Sequence, residues 1–177
     1  MHALLALTML MPIIASKPST DNWQPFTSLA SRIRFEVPTE PVEHQFSNVA
    51  GSDVRSFVCK SGEIVFEAVA MEMELGLKLA LQEAVSDAEV SVSRQLIDGL
   101  LEDSLQGLGA IRSETEYTRL QKFPCRTTIA KVDSGRDVKL LTVISKSHMY
   151  LFIVSYPNQP DPKRSVDRFF NSIRFEK

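Results

Sequence analysis

The side chains in this chain that could do chemistry are few and widely spaced. Cys59 and Cys125 both fall in β-rich segments. An even cysteine count permits one disulfide in an oxidising compartment, provided the two Cα atoms come within about 7 Å. The alternative is a pair of buried thiols packed as small hydrophobes. There is no Cys-x-x-Cys spacing of the kind that lowers a thiol pKa, so a structural role is favoured over a redox one. His44 and His148 are the histidines beyond the apolar start, and neither sits in a nucleophile motif. A hydrolytic triad needs a nucleophile beside a histidine that an acid orients, and no Gly-x-Ser-x-Gly elbow is present. His148 follows a turn and is expected to be exposed at the start of a strand. Glu72 and Glu74, like Glu114 and Glu116, stand two residues apart. On a strand each pair shares one face and could chelate a cation, but such pairs more often line a solvated face. Met71 and Met73 have the same spacing and read as core or rim residues. Arg32, Arg34, Lys163, Arg164, Arg168 and Arg174 form a candidate basic patch where the first strand meets the last helix. Such a patch would suit phosphate or anionic lipid, with Glu36, Asp161, Asp167 and Glu176 available to balance it. No residue is assigned a catalytic, metal-ligating or cofactor-binding role, and no cofactor is expected.

These residues must be positioned by elements that the pattern of apolar residues predicts. Ile33, Phe35 and Val37 alternate with charges as a half-buried strand, which Pro38 and Pro41 end. Val42 to Ser47 continues as an edge segment. Val54 to Cys59 and Glu63 to Met71 flank the tight turn Lys60-Ser61-Gly62. Leu75, Leu77, Leu79 and Leu81 alternate as in a strand, whereas the residue types of that stretch favour helix, and both assignments stay open. A long helix follows, with Ser86 or Asp87 as N-cap. It carries Ile97, Leu101, Leu105 and Leu108 on one face, and Gly107 and Gly109 end it. Ala110 to Leu120 begins a second run of strands. Arg126 to Val132, Val138 to Ser145 and Met149 to Tyr156 then form a meander. Ser165 to Phe175 reads as a closing helix with Val166, Phe169, Phe170 and Ile173 inward. Its end, Ile173-Arg174-Phe175-Glu176, echoes Ile33-Arg34-Phe35-Glu36, a match short enough to be chance. The fold class expected is α+β: an antiparallel sheet of about six strands packed against a central helix and a C-terminal helix.

The N-terminus points to a compartment. Ala3 to Ala15 is apolar and uncharged until Lys17. The run is shorter than the ~20 residues that span a bilayer and has the length of a signal-peptide core. Residues 1–16 are therefore expected to be a signal peptide, with the mature chain starting near Ser16 or Lys17. A linker or N-terminal arm would follow over 17–31, and a single α+β domain over 32–177. The chain is then periplasmic or secreted; without cleavage it would be a cytoplasmic protein with a buried N-terminal helix. A chain of 177 residues can bury roughly 70% of its unfolded surface around one core. Its net charge of −2 argues against a dedicated nucleic-acid binder.

The meander ending Met149-Tyr150-Leu151-Phe152-Ile153-Val154-Ser155-Tyr156-Pro157, followed by Phe169-Phe170-Asn171-Ser172-Ile173-Arg174-Phe175, resembles the small exported bacterial domains of PsbP-like fold. That fold is shared by the PsbP extrinsic subunit of photosystem II and by a Ran-binding nuclear import factor. The likeness spans Ser31 to Lys177 and implies an α/β/α sandwich. Such domains often carry Pro-Gly-Arg-Glu where this chain has Pro124-Cys125-Arg126-Thr127, a departure at two of four positions. The group has no established common activity, so the resemblance bears on fold rather than function. The expectation is thus a non-enzymatic exported domain that binds another protein or an envelope component. The alternative is a small-molecule or lipid carrier with a cleft between the central helix and the sheet, and a hydrolase ranks third.

Overall fold

The β-formers of this chain pair antiparallel throughout, and the two periods of its apolar residues sort them into strands and helices. The computed structural model describes residues 22–47, 52–83, 86–158 and 162–176. The expected signal segment and the first five residues of the arm that follows it, 17–21, lie outside the described residues, as does Asp161.

The main sheet has seven strands in the order β3-β4-β5-β9-β8-β7-β6. They are β3 (Val42–Ser47), β4 (Asp53–Ser61), β5 (Ile64–Glu72), β6 (Ala110–Leu120), β7 (Phe123–Val132), β8 (Arg136–Ile144) and β9 (His148–Pro157). A smaller sheet, β1-β2-β10, joins Gln24–Ser28, Ile33–Val37 and Arg174–Phe175. The expected count of about six strands thus becomes seven plus three. β1 lies in the stretch read as a linker, where Pro25, Thr27 and Ser28 hide a strand. Phe26 anchors it, its ring 5.2 Å from Phe35 and 5.0 Å from Phe57. The strand Ile33–Val37 belongs to this small sheet rather than to the main one.

Three helices lie among the described residues: α1 (Leu75–Glu83), α2 (Ser86–Leu108) and α3 (Lys163–Ser172). The four alternating leucines lie on α1, so residue type outweighs alternation there. Leu75 and Leu79 stay exposed, so their alternation never had a sheet face to serve. The C-terminal helix is shorter than expected. Ser172 Oγ donates to the Phe169 carbonyl at 2.7 Å and accepts the Glu36 amide at 2.8 Å. Ile173 then turns extended, at φ −62° and ψ 128°. A serine that bonds back to the preceding turn competes with helix continuation. Arg174 and Phe175 pair with Arg34 and Ile33. The two echoing tetrapeptides are therefore neighbours in the small sheet.

Two large clusters of buried residues and a small third, of Met73, Ile97 and Ile144, make up the core among the described residues. In one, Phe57, Phe66, Phe152, Val154 and Leu141 pack with Ile33, Phe35 and Val37 of β2 and with Val166, Phe169, Phe170 and Ile173. In the other large one, Leu100, Leu101 and Leu105 of α2 pack on Val69, Leu140, Leu151 and Ile153. Leu101 is fully buried. Leu101→Ala is expected to cost about 2–5 kcal/mol, read as a lower urea midpoint. A loss under ~0.5 kcal/mol, the size of a surface change, would mean that this face of α2 is not core.

Candidate interaction surface

A polar cluster links α2 to β6 and β7. Strand alternation turns Arg126 and Thr128 of β7 toward α2, and the register places Tyr117 and Thr115 of β6 opposite them. Arg126 is almost wholly buried. Its Nη1 donates to Asp98 Oδ1 of α2, and its Nε donates to Thr115 Oγ1 at 2.6 Å. Thr115 and Thr128 share a hydroxyl hydrogen bond of 3.2 Å. Tyr117 donates to the same Asp98 oxygen, and its ring stacks against Arg126, 4.7 Å from ring centroid to guanidinium carbon, with Arg94 5.3 Å away. One turn on, Glu102 of α2 is paired with Arg112 of β6. A guanidinium without a carboxylate would be costly at such burial, so Asp98 and Arg126 tie helix to sheet as a unit. Burial pushes the Tyr117 hydroxyl above its usual pKa, and its bond to Asp98 pushes the same way, so it stays a donor.

These ties hold β6 in place while leaving it bare. Its residues are exposed along most of their length, with Ile111 at 73% and Tyr117 at 40%. β6 is the last strand of the sheet, so among the described residues no strand pairs with the backbone groups on its outer side. Beside it a shallow open groove of about 640 Å³ is lined by Glu102, Leu105, Gln106, Ala110, Ile111 and Arg112. The opposite edge, β3, is exposed too, but it has six residues and its Glu43 is tied to Arg55 at 2.7 Å. Sequence reasoning missed Arg126, Asp98 and Tyr117. The available signal was an arginine alternating with Thr128 and Ala130 in a strand, where an inward charge demands a partner.

The residues that the sequence singled out fall elsewhere. Cys59 and Cys125 are free and buried, on β4 and β7. Three strands lie between them, a separation of about 19 Å at ordinary strand spacing, so they do not bridge. Burial pushes the thiols up to about 12 and about 11, which leaves both protonated and inert. Among the six basic residues, Arg34 and Arg174 are direct cross-strand neighbours. Arg168 bonds Glu36 at 2.8 Å and lies over the Trp23 ring at 5.0 Å. Lys163 and Arg164 are exposed at the start of α3, and Arg32 is exposed just before β2. Arg32 takes a left-handed φ of 53°. Glu72 ends β5 and pairs with Lys78, whereas Glu74 precedes α1, so the two do not share a strand face.

His148 departs from expectation. It is 9% exposed, not open to water, and the Tyr150 ring stacks on it at 5.6 Å. Its Nδ1 shares a hydrogen bond of 2.8 Å with Ser147 Oγ. Burial pushes its pKa below the usual 6.5, Arg32 and Lys78 push the same way, and Glu72 opposes them. A histidine held neutral by the fold leaves the unfolded chain to take up the proton first. Stability is therefore full above pH 6.5 and falls as the pH drops from there through the lowered folded value. Urea melts of His148→Gln are expected to lose that part of the acid slope. An unchanged slope would mean that His148 is as accessible folded as unfolded.

On the α2 side of β5, Glu67 accepts a bond of 2.8 Å from Ser56 Oγ. Burial pushes its carboxyl above the usual range, against the pull of Ser56 and His44. His44 faces Ser56 across the β3–β4 register. The three groups make a half-buried polar spot beside exposed Val42 and half-buried Val58. Among the described residues no group of three or more His, Cys, Asp or Glu side chains is placed to hold a metal ion.

No family model matches this chain, and no curated protein does. Among solved structures it is similar to cyanobacterial PsbP (CyanoP) from Synechocystis sp. PCC 6803. That similarity has a TM-score of 0.57 and 12% identity, over 92% of this chain and 98% of the other. The fold is PsbP-like: α+β, with a seven-stranded antiparallel sheet, a smaller sheet and three helices. No helix among the described residues is long and apolar enough to cross a membrane.

Proposed function

We propose that this chain is a non-enzymatic exported domain that binds another protein or an envelope component, and that β6 with its adjoining groove is the binding surface. The observation that carries the proposal is an eleven-residue strand, fixed from one side by α2 and, among the described residues, bare on the other. An exposed edge strand is a ready template for an added strand, and proteins that do not use such an edge usually cover or shorten it. The α2 ties limit the ordering that docking would require, which favours affinity. We read the layers as the helix/sheet/helix sandwich that the PsbP-like likeness implies, with α2 and α3 on opposite faces. A carrier would need to enclose most of its ligand. The groove beside β6 is open and shallow, which favours the binder over the carrier.

Photocrosslinking in the native host tests this. A crosslinking residue placed at Thr118 of β6 is expected to trap a discrete partner, and one placed at Ser165 of α3 is not. Equal trapping at both positions, or trapping at Ser165 alone, would move the binding surface off β6. Mass spectrometry of the same material reads the N-terminus, where an intact Met1 would contradict export.

A further inference from the structure

We infer that the occupant of the β6 edge is an extended segment with lysine or arginine at alternate positions, added as an eighth strand to the sheet. This rests on the β6 surface proposed above and names the chemistry of its partner. The bulge between Arg112 and Glu114 twists the start of β6, so the regular edge runs from Glu114 to Leu120. The register divides its side chains cleanly. Thr115 and Tyr117 oppose Thr128 and Arg126 on the α2 side. Glu114, Glu116 and Thr118 oppose Ile129, Thr127 and Cys125 on the other. Glu114 and Glu116 are exposed, and neither forms an ion pair among the described residues. Two unpaired carboxylates at strand spacing are matched by two cations at the same spacing on a neighbouring strand. The intervening residues of the partner would meet Thr115 and Tyr117, which favours β-branched or aromatic types.

A second copy of this chain fits poorly. Antiparallel pairing of β6 with itself about a two-fold axis normal to the sheet keeps each face on its own side. Arg112 and Arg119 oppose Ala130 and Pro124 and so lie on the α2 side, away from the two glutamates. In such a pairing Glu114 and Glu116 would meet each other or neutral residues, never an arginine. Like charges placed opposite are destabilising.

Three synthetic seven-residue peptides serve as probes for the full chain: one alternating Lys and Val, one alternating Glu and Val, and one alternating Lys and Val with a central Pro. The Lys-Val probe is expected to bind, with amide shifts in NMR confined to β6 and β7, and to weaken as salt is raised. The proline probe, which breaks the ladder, and the Glu-Val probe are expected not to bind. Reversing both charges in Glu114→Lys/Glu116→Lys should weaken the Lys-Val probe about tenfold and let the Glu-Val probe bind. Both positions are exposed, and an unchanged melting temperature confirms that the variant folds. The basic-segment inference is overturned if the wild-type chain prefers the Glu-Val probe, if the shifts map to α3, if the proline probe binds as well, or if charge reversal changes nothing. Should Thr118 crosslinking in the host survive the double reversal, β6 remains the binding surface and only the partner's chemistry is wrong. Concentration-dependent dimerisation through β6 would instead identify a second copy as the occupant.

Discussion

Removing everything after Pro162 is expected to unfold this domain rather than trim it. The deletion takes away Val166, Phe169, Phe170 and Ile173, all buried. Phe169 is the centre of the aromatic core, with ring centroids 5.5 Å from Phe35, 5.4 Å from Phe66 and 6.3 Å from Phe152. Phe175, carried on β10, packs at 4.9 Å on Tyr150 and 5.2 Å on Phe123. Truncating one buried phenylalanine typically costs 3–5 kcal/mol, and a domain holds only about 5–15 kcal/mol in total. The deletion also strips β2 of β10 and opens the face that Phe152 and Val154 present, so the small sheet loses both an edge and its cover. Near-UV circular dichroism and urea melts of the shortened chain should show no cooperative transition. A truncated protein that still melts cooperatively near the full-length temperature would make α3 a detachable element, and the aromatic cluster a binding face that it covers.

How much of this was legible in the sequence follows from which forces acted locally. The meander, the hairpin and α2 could be read because alternation and the 3.6-residue period each reported one buried face. α3 could be read for the same reason: its inward set at positions 166, 169, 170 and 173 is buried. Where it stops could not, because Ser172 and Ile173 are decided by partners over a hundred residues away, Glu36 and β2. β1 was hidden because its cohesion comes from Phe26 lying on Phe35 and Phe57, a contact without local periodicity. The exposure expected of His148 failed because stacking by a residue two positions on, with Ser145 and Ser147 bonded around it, encloses a ring that the turn alone would leave open. The surface at β6 had the weakest signal of all. Arg112, Glu114, Glu116 and Arg119 look like any solvated strand until the sheet order shows that, among the described residues, no strand pairs with their outer side. The helix that fixes that strand from behind does so through Asp98, whose importance depends on Arg126, 28 positions away.

The Asp98–Arg126 tie makes an asymmetric prediction. The Arg126 side chain is 8% exposed and the Asp98 side chain 42%. Removing the carboxylate strands a guanidinium in a site that water hardly reaches. Removing the guanidinium leaves a carboxylate that solvent can take over. Breaking a buried pair costs about 3–5 kcal/mol when the charge left behind is buried, and Asp98→Ala should fall in that range. Arg126→Met, which fills similar volume with apolar atoms, should cost only about 1–2 kcal/mol, close to the loss of its hydrogen bonds to Asp98 and Thr115. The double variant Asp98→Ala/Arg126→Met should be more stable than Asp98→Ala alone, because the stranded charge is gone. Urea midpoints of the three variants measure this directly. Equal losses in the two single variants, or a double variant as unstable as the sum of the two, would show that the pair is screened like a surface ion pair. In that case the Tyr117–Asp98 hydrogen bond and the Arg112–Glu102 pair, rather than the Asp98–Arg126 pair, would hold β6 to α2. If the tie is the clamp, Asp98→Ala should also weaken whatever docks on β6 at temperatures where the domain is still folded, because the edge then loses one of its two anchors to the helix.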